Sequence, residues 1–180
     1  AGSAVLAAAF ALALPHTPPP AKGQKASVLD VLGLRSLVLL KDRNFALFIA
    51  TYLLVMPPFS IYWSYFSVFL KDKQFEYVTV TMTWGQVAEM LFMLMIPLVI
   101  ARVGVKWAMA IGLAAMVVRY LSLLLGSAMN AEALYYVAIL VHGLIFGFYF
   151  VGGQIYVDRK APKELRAQAQ GFLFLAGFGL

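Results

Sequence analysis

The stretch Trp84-Gly85-Gln86-Val87-Ala88-Glu89-Met90-Leu91-Phe92-Met93-Leu94-Met95-Ile96 places a carboxylate inside an otherwise apolar run. An ionisable group at such depth in a bilayer costs roughly 2.5–3.5 kcal/mol or more, so it lines a cavity or finds a partner. Gln86 and Glu89 are three positions apart, which on a helix brings both side chains to one face. Thr79 and Thr83 extend that face toward one end. The segment reads as the wall of a polar cavity inside a membrane. The plainer alternative is a protonated Glu89 hydrogen-bonded between packed helices.

Composition leads to the same solvent. Of 180 residues, 63% are hydrophobic and 12% charged, with a mean hydropathy of +0.86. Soluble domains carry about 25% charge, so the expectation is an all-α integral membrane protein. The chain has no cysteine, which excludes disulfides, Cys-ligated zinc and thiol chemistry. H-E-x-x-H, G-x-S-x-G and paired catalytic carboxylates are also missing, so neither an enzyme nor a cofactor or metal site is expected. The net charge of +6 sits in loops and forms no basic stripe with interleaved aromatics. The bilayer, and not nucleic acid, is the partner this implies.

Residues 1–15 read as the end of a transmembrane helix stopped by Pro15, with Pro18, Pro19 and Pro20 forming a stiff exit. A cleavable leader ending at Ala11-Leu12-Ala13 would need a basic start that the chain does not show. The chain begins without Met and stops inside an apolar run, and it is expected to be a piece of a longer protein. Residues 16–43 form a linker whose 27–40 segment is too short to cross a ~30 Å core and is expected along the membrane surface. Residues 44–180 hold spans at about 44–70, 79–101, 107–127, 133–157 and 167–180, the last one cut short. Pro57 and Pro58 should kink the first of these. A tight turn over 102–106 contains Gly104.

Basic residues set the orientation. Lys22, Lys25, Arg35, Lys41 and Arg43 lie in the linker, Arg102 and Lys106 in the turn, and Arg159, Lys160, Lys163 and Arg166 in the 158–166 loop. The opposite loops hold only Lys71 and Lys73. Eleven against two puts the linker and the loops 102–106 and 158–166 in the cytoplasm of a multi-pass protein of the cell membrane.

At about 1.5 Å per residue, Glu89 lies roughly 15 Å, His142 about 14 Å, and Tyr62 and Arg119 about 12 Å below the outer ends of their spans. Polar outliers of four spans thus share one layer, which suggests one site. Glu89 is the candidate proton carrier, and His142 a substrate ligand, relay partner or packing histidine. Arg119 is a candidate to neutralise Glu89, but is rather expected to snorkel outward or make a structural contact. Tyr62, Trp63, Tyr65 and Phe66 follow the double proline and are candidate stacking rings. Phe146 and Tyr149 fall four and seven residues beyond His142, on its face of an α-helix. Trp107, Tyr77, Tyr135 and Tyr136 are expected in the interfacial belts. Gly143 and Gly147 form a G-x-x-x-G pattern suited to close helix packing.

The strings Leu14-Pro15-His16-Thr17-Pro18-Pro19, Leu40-Lys41-Asp42-Arg43-Asn44-Phe45, Trp84-Gly85-Gln86 with Glu89, Gly153-Gln154-Ile155-Tyr156-Val157-Asp158 and Arg166-Ala167-Gln168-Ala169-Gln170-Gly171 resemble the nucleoside:proton symporters of the major facilitator superfamily. The resemblance runs over nearly the whole chain. It implies a twelve-helix bundle of two halves, of which this chain runs from the end of helix six into helix eleven. The partners it implies are a small-molecule substrate, a nucleoside, together with protons and the N-terminal half of the same protein. It also implies import across the inner membrane by alternating access, with Gln86 and Glu89 as the substrate-binding amide and carboxylate and Phe146 as an aromatic site residue. His142, Tyr149 and Tyr62 complete the candidate substrate-binding set. Family members commonly carry an aspartate after that aromatic, where this chain has Gly147, and His142 stands where a tyrosine is found in a characterised type. An alternative substrate, another small polar solute such as a sugar or metabolite, rests on that departure.

Overall fold

The computed structural model describes residues 2–15, 27 and 33–179. Helix α1, Gly2–Ala13, is Ala-rich and exposed along its length. The expected linker lies outside the described residues at 16–26 and 28–32. A short 3₁₀ helix, Leu34–Lys41, leads into the bundle, with Ser36 buried and donating to the Gly33 carbonyl at 2.6 Å. Asp42 then caps helix α2, Arg43–Asp72, by accepting from the Phe45 amide at 3.0 Å. Helix α2 runs through both Pro57 and Pro58. Proline there leaves backbone groups of the preceding turn without their usual bonds, and the Tyr120 hydroxyl donates to the Pro58 carbonyl.

Val78–Met129 is helical for 52 residues except at Gly104, whose φ of 77° and ψ of 166° break it. A straight helix of that length would measure about 78 Å, far beyond a ~30 Å hydrocarbon core. Gly104 therefore divides it into α3 (78–103) and α4 (105–129). The expected five-residue turn shrinks to one residue, because glycine enters that backbone region without steric cost. Asn130, left-handed at φ 52°, closes α4. Helix α5 spans Glu132–Lys160 and contains a π-helical segment, Ile145–Val151. Helix α6 is Arg166–Phe178.

Three helical stretches among the described residues are long and apolar enough to cross a membrane, the 52-residue one being the broken pair. Helix α5 is their common neighbour. Gly85 faces Ile139 and Ala88 faces Gly143, so α3 runs parallel to α5. Gly126 faces Tyr135 and Gly112 faces Tyr149, so α4 runs antiparallel to it. Helix α2 is also antiparallel, with Tyr52 against Tyr149 and Phe69 against Tyr135. In lipid such packing rests on close approach and dispersion more than on hydrophobic burial. Gly143 is the tightest of these contacts, since a Cβ there would fall 2.5 Å from the Ala88 backbone. Gly147 is not tight; its Cβ would meet Ile96 at 3.5 Å.

One sequence expectation changes here, and one open alternative is decided. Tyr135 is buried at 2% exposure and is no belt residue, because Gly126 leaves room for its ring between helices. Trp107, Tyr77 and Tyr136 remain exposed. Of the two outcomes expected for Arg119, snorkelling and a structural contact, the structure shows the contact. Arg119 has no solvent exposure and turns inward among α2, α4 and α5.

Candidate functional site

Four helices bring one polar chain together around His142. From α4, Arg119 donates through Nε to the Ala138 carbonyl at 3.3 Å, and its Nη2 lies 2.8 Å from His142 Nδ1. From α2, the Tyr62 ring covers the guanidinium at 3.8 Å, a cation–π contact worth about 2 kcal/mol when desolvated. From α3, Glu89 Oε2 stands 3.6 Å from His142 Nε2. That distance is too long for a direct hydrogen bond and leaves the pair to electrostatic attraction or to closure by a small side-chain movement. Arg119 Nη1 has no hydrogen-bond partner among the described residues.

The imidazole is framed by rings. Phe59 and Tyr62 stack with it at centroid distances of 6.1 and 5.7 Å, Trp63 meets it edge-on at 5.5 Å, and Phe146 lies tilted at 6.3 Å. Burial decreases along the polar chain. Arg119 is fully buried, His142 is 3% exposed, the Glu89 side chain is 21% exposed, and Gln86, one turn away, is exposed. The site is anchored in protein at Arg119 and open at Glu89 and Gln86.

The candidate residues divide accordingly. Glu89, His142, Tyr62 and Phe146 come together, and Gln86 stands at the open edge. Tyr149 does not join them. It is fully buried, parallel to Tyr52 at 6.0 Å and edge-on to Phe150 at 5.4 Å. Seven residues make two turns of α-helix, but the π segment lengthens each turn and carries Tyr149 off the His142 face. Tyr62 is close to His142, yet its ring is taken by Arg119 and packed on Phe66 at 4.5 Å. The neighbouring Trp63 is half exposed and holds the more accessible ring. Thr83 spends its hydroxyl on the Thr79 carbonyl at 2.9 Å.

Two hollows lie elsewhere. One of 690 Å³ is lined by Arg102, Trp107 and Ile111, the other of 620 Å³ by Asn44, Lys106, Tyr149 and Lys160. Neither includes Glu89 or His142. The sequence does not single out Phe59, and for Arg119 it points to a structural contact without naming His142 as the partner. A lone arginine in an apolar span, at the depth of Glu89 and His142, is the available signal.

This geometry can be set beside known proteins. The family described as Nucleoside H+ symporter matches residues 1–180. YegT of Escherichia coli (strain K12), whose name assigns it provisionally to nucleoside transport, is 39% identical over 99% of this chain and 43% of its own length. The nucleoside permease NupG of the same organism is 30% identical over 94% of this chain and 44% of its own. Its xanthosine permease is 28% identical over 94% and 43%. A crystal structure of a variant of the nucleoside transporter NupG superposes with a TM-score of 0.77 at 26% identity, covering 97% of this chain and 46% of that one. The chain thus spans less than half the length of the relatives it matches, all of them named as transporters or permeases and none as an enzyme. The fold is that of a major facilitator helix bundle, and the chain is a multi-pass membrane segment. It belongs to the nucleoside:H+ symporter family.

Proposed function

We propose that the complete protein imports nucleosides across the cytoplasmic membrane, coupled to protons, by alternating access between its two six-helix halves. The observation that carries this reading is the graded polar chain Glu89–His142–Arg119, deepest at the guanidinium and open at the carboxylate. Glu89 is the group that takes up and releases the proton. Gln86 and Glu89 bond the ribose hydroxyls or base edge at the open side, and Phe146 offers a ring beside them. Tyr62 and Tyr149, both buried by protein, act behind the site as support. The half-exposed Trp63 is the additional stacking surface.

Topology follows the basic residues. Eleven of them lie on the side of the 16–43 linker and the loops 102–106 and 158–166, which supports a cytoplasmic position for that side. The N-terminal half supplies the opposing wall of the site. The departure at Gly147 supports a second reading, transport of another small polar solute such as a sugar.

Uptake of labelled uridine and adenosine into vesicles holding the complete transporter, with and without an inward proton gradient, tests the first reading. Stimulated uptake that collapses with an uncoupler is expected, and Glu89→Gln is expected to bind substrate while losing uphill accumulation. Uphill uptake unchanged in Glu89→Gln would remove Glu89 from coupling. No nucleoside uptake by folded, inserted protein would favour the second reading.

A further inference from the structure

Transport as proposed gives Arg119 no task, yet the chain keeps a fully buried guanidinium on a helix whose Val117, Val118, Leu121 and Leu124 all face outward. A guanidinium has only donors and stays protonated in proteins. With Arg119 Nη2 at 2.8 Å, His142 Nδ1 must therefore be the accepting nitrogen. A neutral imidazole that accepts at Nδ1 carries its hydrogen on Nε2, the nitrogen that faces Glu89. A second proton on the ring would set an Nδ1–H against an Arg119 N–H, two donors meeting where both side chains are buried. The aromatic frame of Phe59, Tyr62 and Trp63 leaves the ring little room to turn away.

We propose that Arg119 is a positioning residue that locks His142 as a neutral Nε2–H donor aimed at Glu89, so that the coupling proton is taken up by the Glu89 carboxylate and never by the imidazole. The inference rests on the proton-coupled reading above. The proton adds to a carboxylate oxygen of Glu89 on one side of the membrane and leaves that oxygen on the other, and no bond at His142 forms or breaks. The ionisable groups facing the imidazole are Tyr62 from α2, Glu89 from α3 and Arg119 from α4. Tyr120, next to Arg119, spends its hydroxyl on Pro58.

The test is nitrogen-15 NMR of the histidine-labelled complete transporter in lipid, with the His142 signal assigned by its loss in His142→Gln. From about pH 8 to about pH 5 the expected signal is a protonated Nε2 and a bare Nδ1 throughout. An Nδ1–H tautomer, or a doubly protonated ring within that range, would overturn the proposal. In Arg119→Met the ring should titrate, and gradient-driven uptake should gain a new pH step that disappears in the Arg119→Met, His142→Gln double variant. Arg119→Lys keeps a donor and should restore the original profile. A uniform loss at every pH, with no new step in folded Arg119→Met protein, would assign Arg119 to packing alone. Should Arg119→Met fail to fold, the NMR of the unaltered protein still decides. Wild-type uptake indifferent to the proton gradient, with the Nε2–H signal intact, would instead sink the coupling reading, a separate failure.

Discussion

His142 and Tyr149 sit seven residues apart on α5, both buried and both beside α2 and α4, but their surroundings differ in kind. Around His142 three helices contribute polar atoms that meet one another, with rings filling the remaining sides. Around Tyr149 rings, a glycine and aliphatic side chains pack beside the hollow it lines, and its hydroxyl has no partner among the described residues. The first region resists change because each polar group there has few partners to lose to. The second holds by shape, so its hydroxyl is dispensable. One helix can thus carry a wired site and a packing joint within two turns, provided the backbone rotates between them, as the π segment does.

Exchanging each ring for phenylalanine tests that contrast most sharply. His142→Phe leaves the Arg119 guanidinium buried without its side-chain acceptor and should cost about 3 kcal/mol, read as a fall in the denaturation midpoint in detergent. A change below a tenth of that would mean the polar chain contributes no stability. The glycines give the next largest effect. Gly143→Ala forces a methyl into the Ala88 backbone and should cost about 1–3 kcal/mol. Gly147→Ala meets Ile96 and the Met93 backbone at ordinary contact distance and should be neutral or gain up to about 1 kcal/mol of helix propensity. Equal losses at both glycines would refute the asymmetry between the two. Tyr149→Phe comes after these. Removing an unpartnered hydroxyl should leave the thermal midpoint unchanged or raise stability by up to about 1 kcal/mol, and a drop would reveal a partner for it.

Smallest is the effect of Asp42, outside both regions at the start of α2. Its carboxyl is held below its ordinary value first by the hydrogen bond from Lys160 at 2.7 Å and then by the Phe45 amide. A lowered folded-state value means that this stabilisation is fully present above the ordinary carboxylate range and is lost as pH falls through the lowered value. Asp42→Asn keeps the cap and should match the parent near neutrality, losing only the acid-range part of its pH dependence in thermal melts. A large loss at neutral pH would show that the exposed pair does more than surface pairs usually do.

Much of the fold is legible in the sequence because lipid imposes simple rules. Every backbone group must be bonded within its own helix, so apolar runs of sufficient length predict spans, and the observed helices α2, α3, α4 and α5 fall within a few residues of them. Part of the site is legible for the same reason, since a Glu, a His and an Arg in apolar spans stand out and their depths coincide. The place of Tyr149 relative to His142 is not legible, because α-helical periodicity does not hold through a segment that is π-helical. The position of Tyr135 near a helix end suggests the interface, and nothing in that position shows that Gly126 opens a slot for its ring.

By itself the sequence determined the apolar helices and where along them the polar residues fall, because these depend on composition and on a rise per residue that is nearly constant. Only the tertiary structure decided that Arg119 turns inward to His142 and that His142 meets Glu89 while Tyr149 does not. Those facts depend on how helices rotate about their axes when packed, and a rotation is set by contacts between residues far apart in the chain: Ala88 on Gly143, Tyr149 on Gly112, Tyr62 over Arg119.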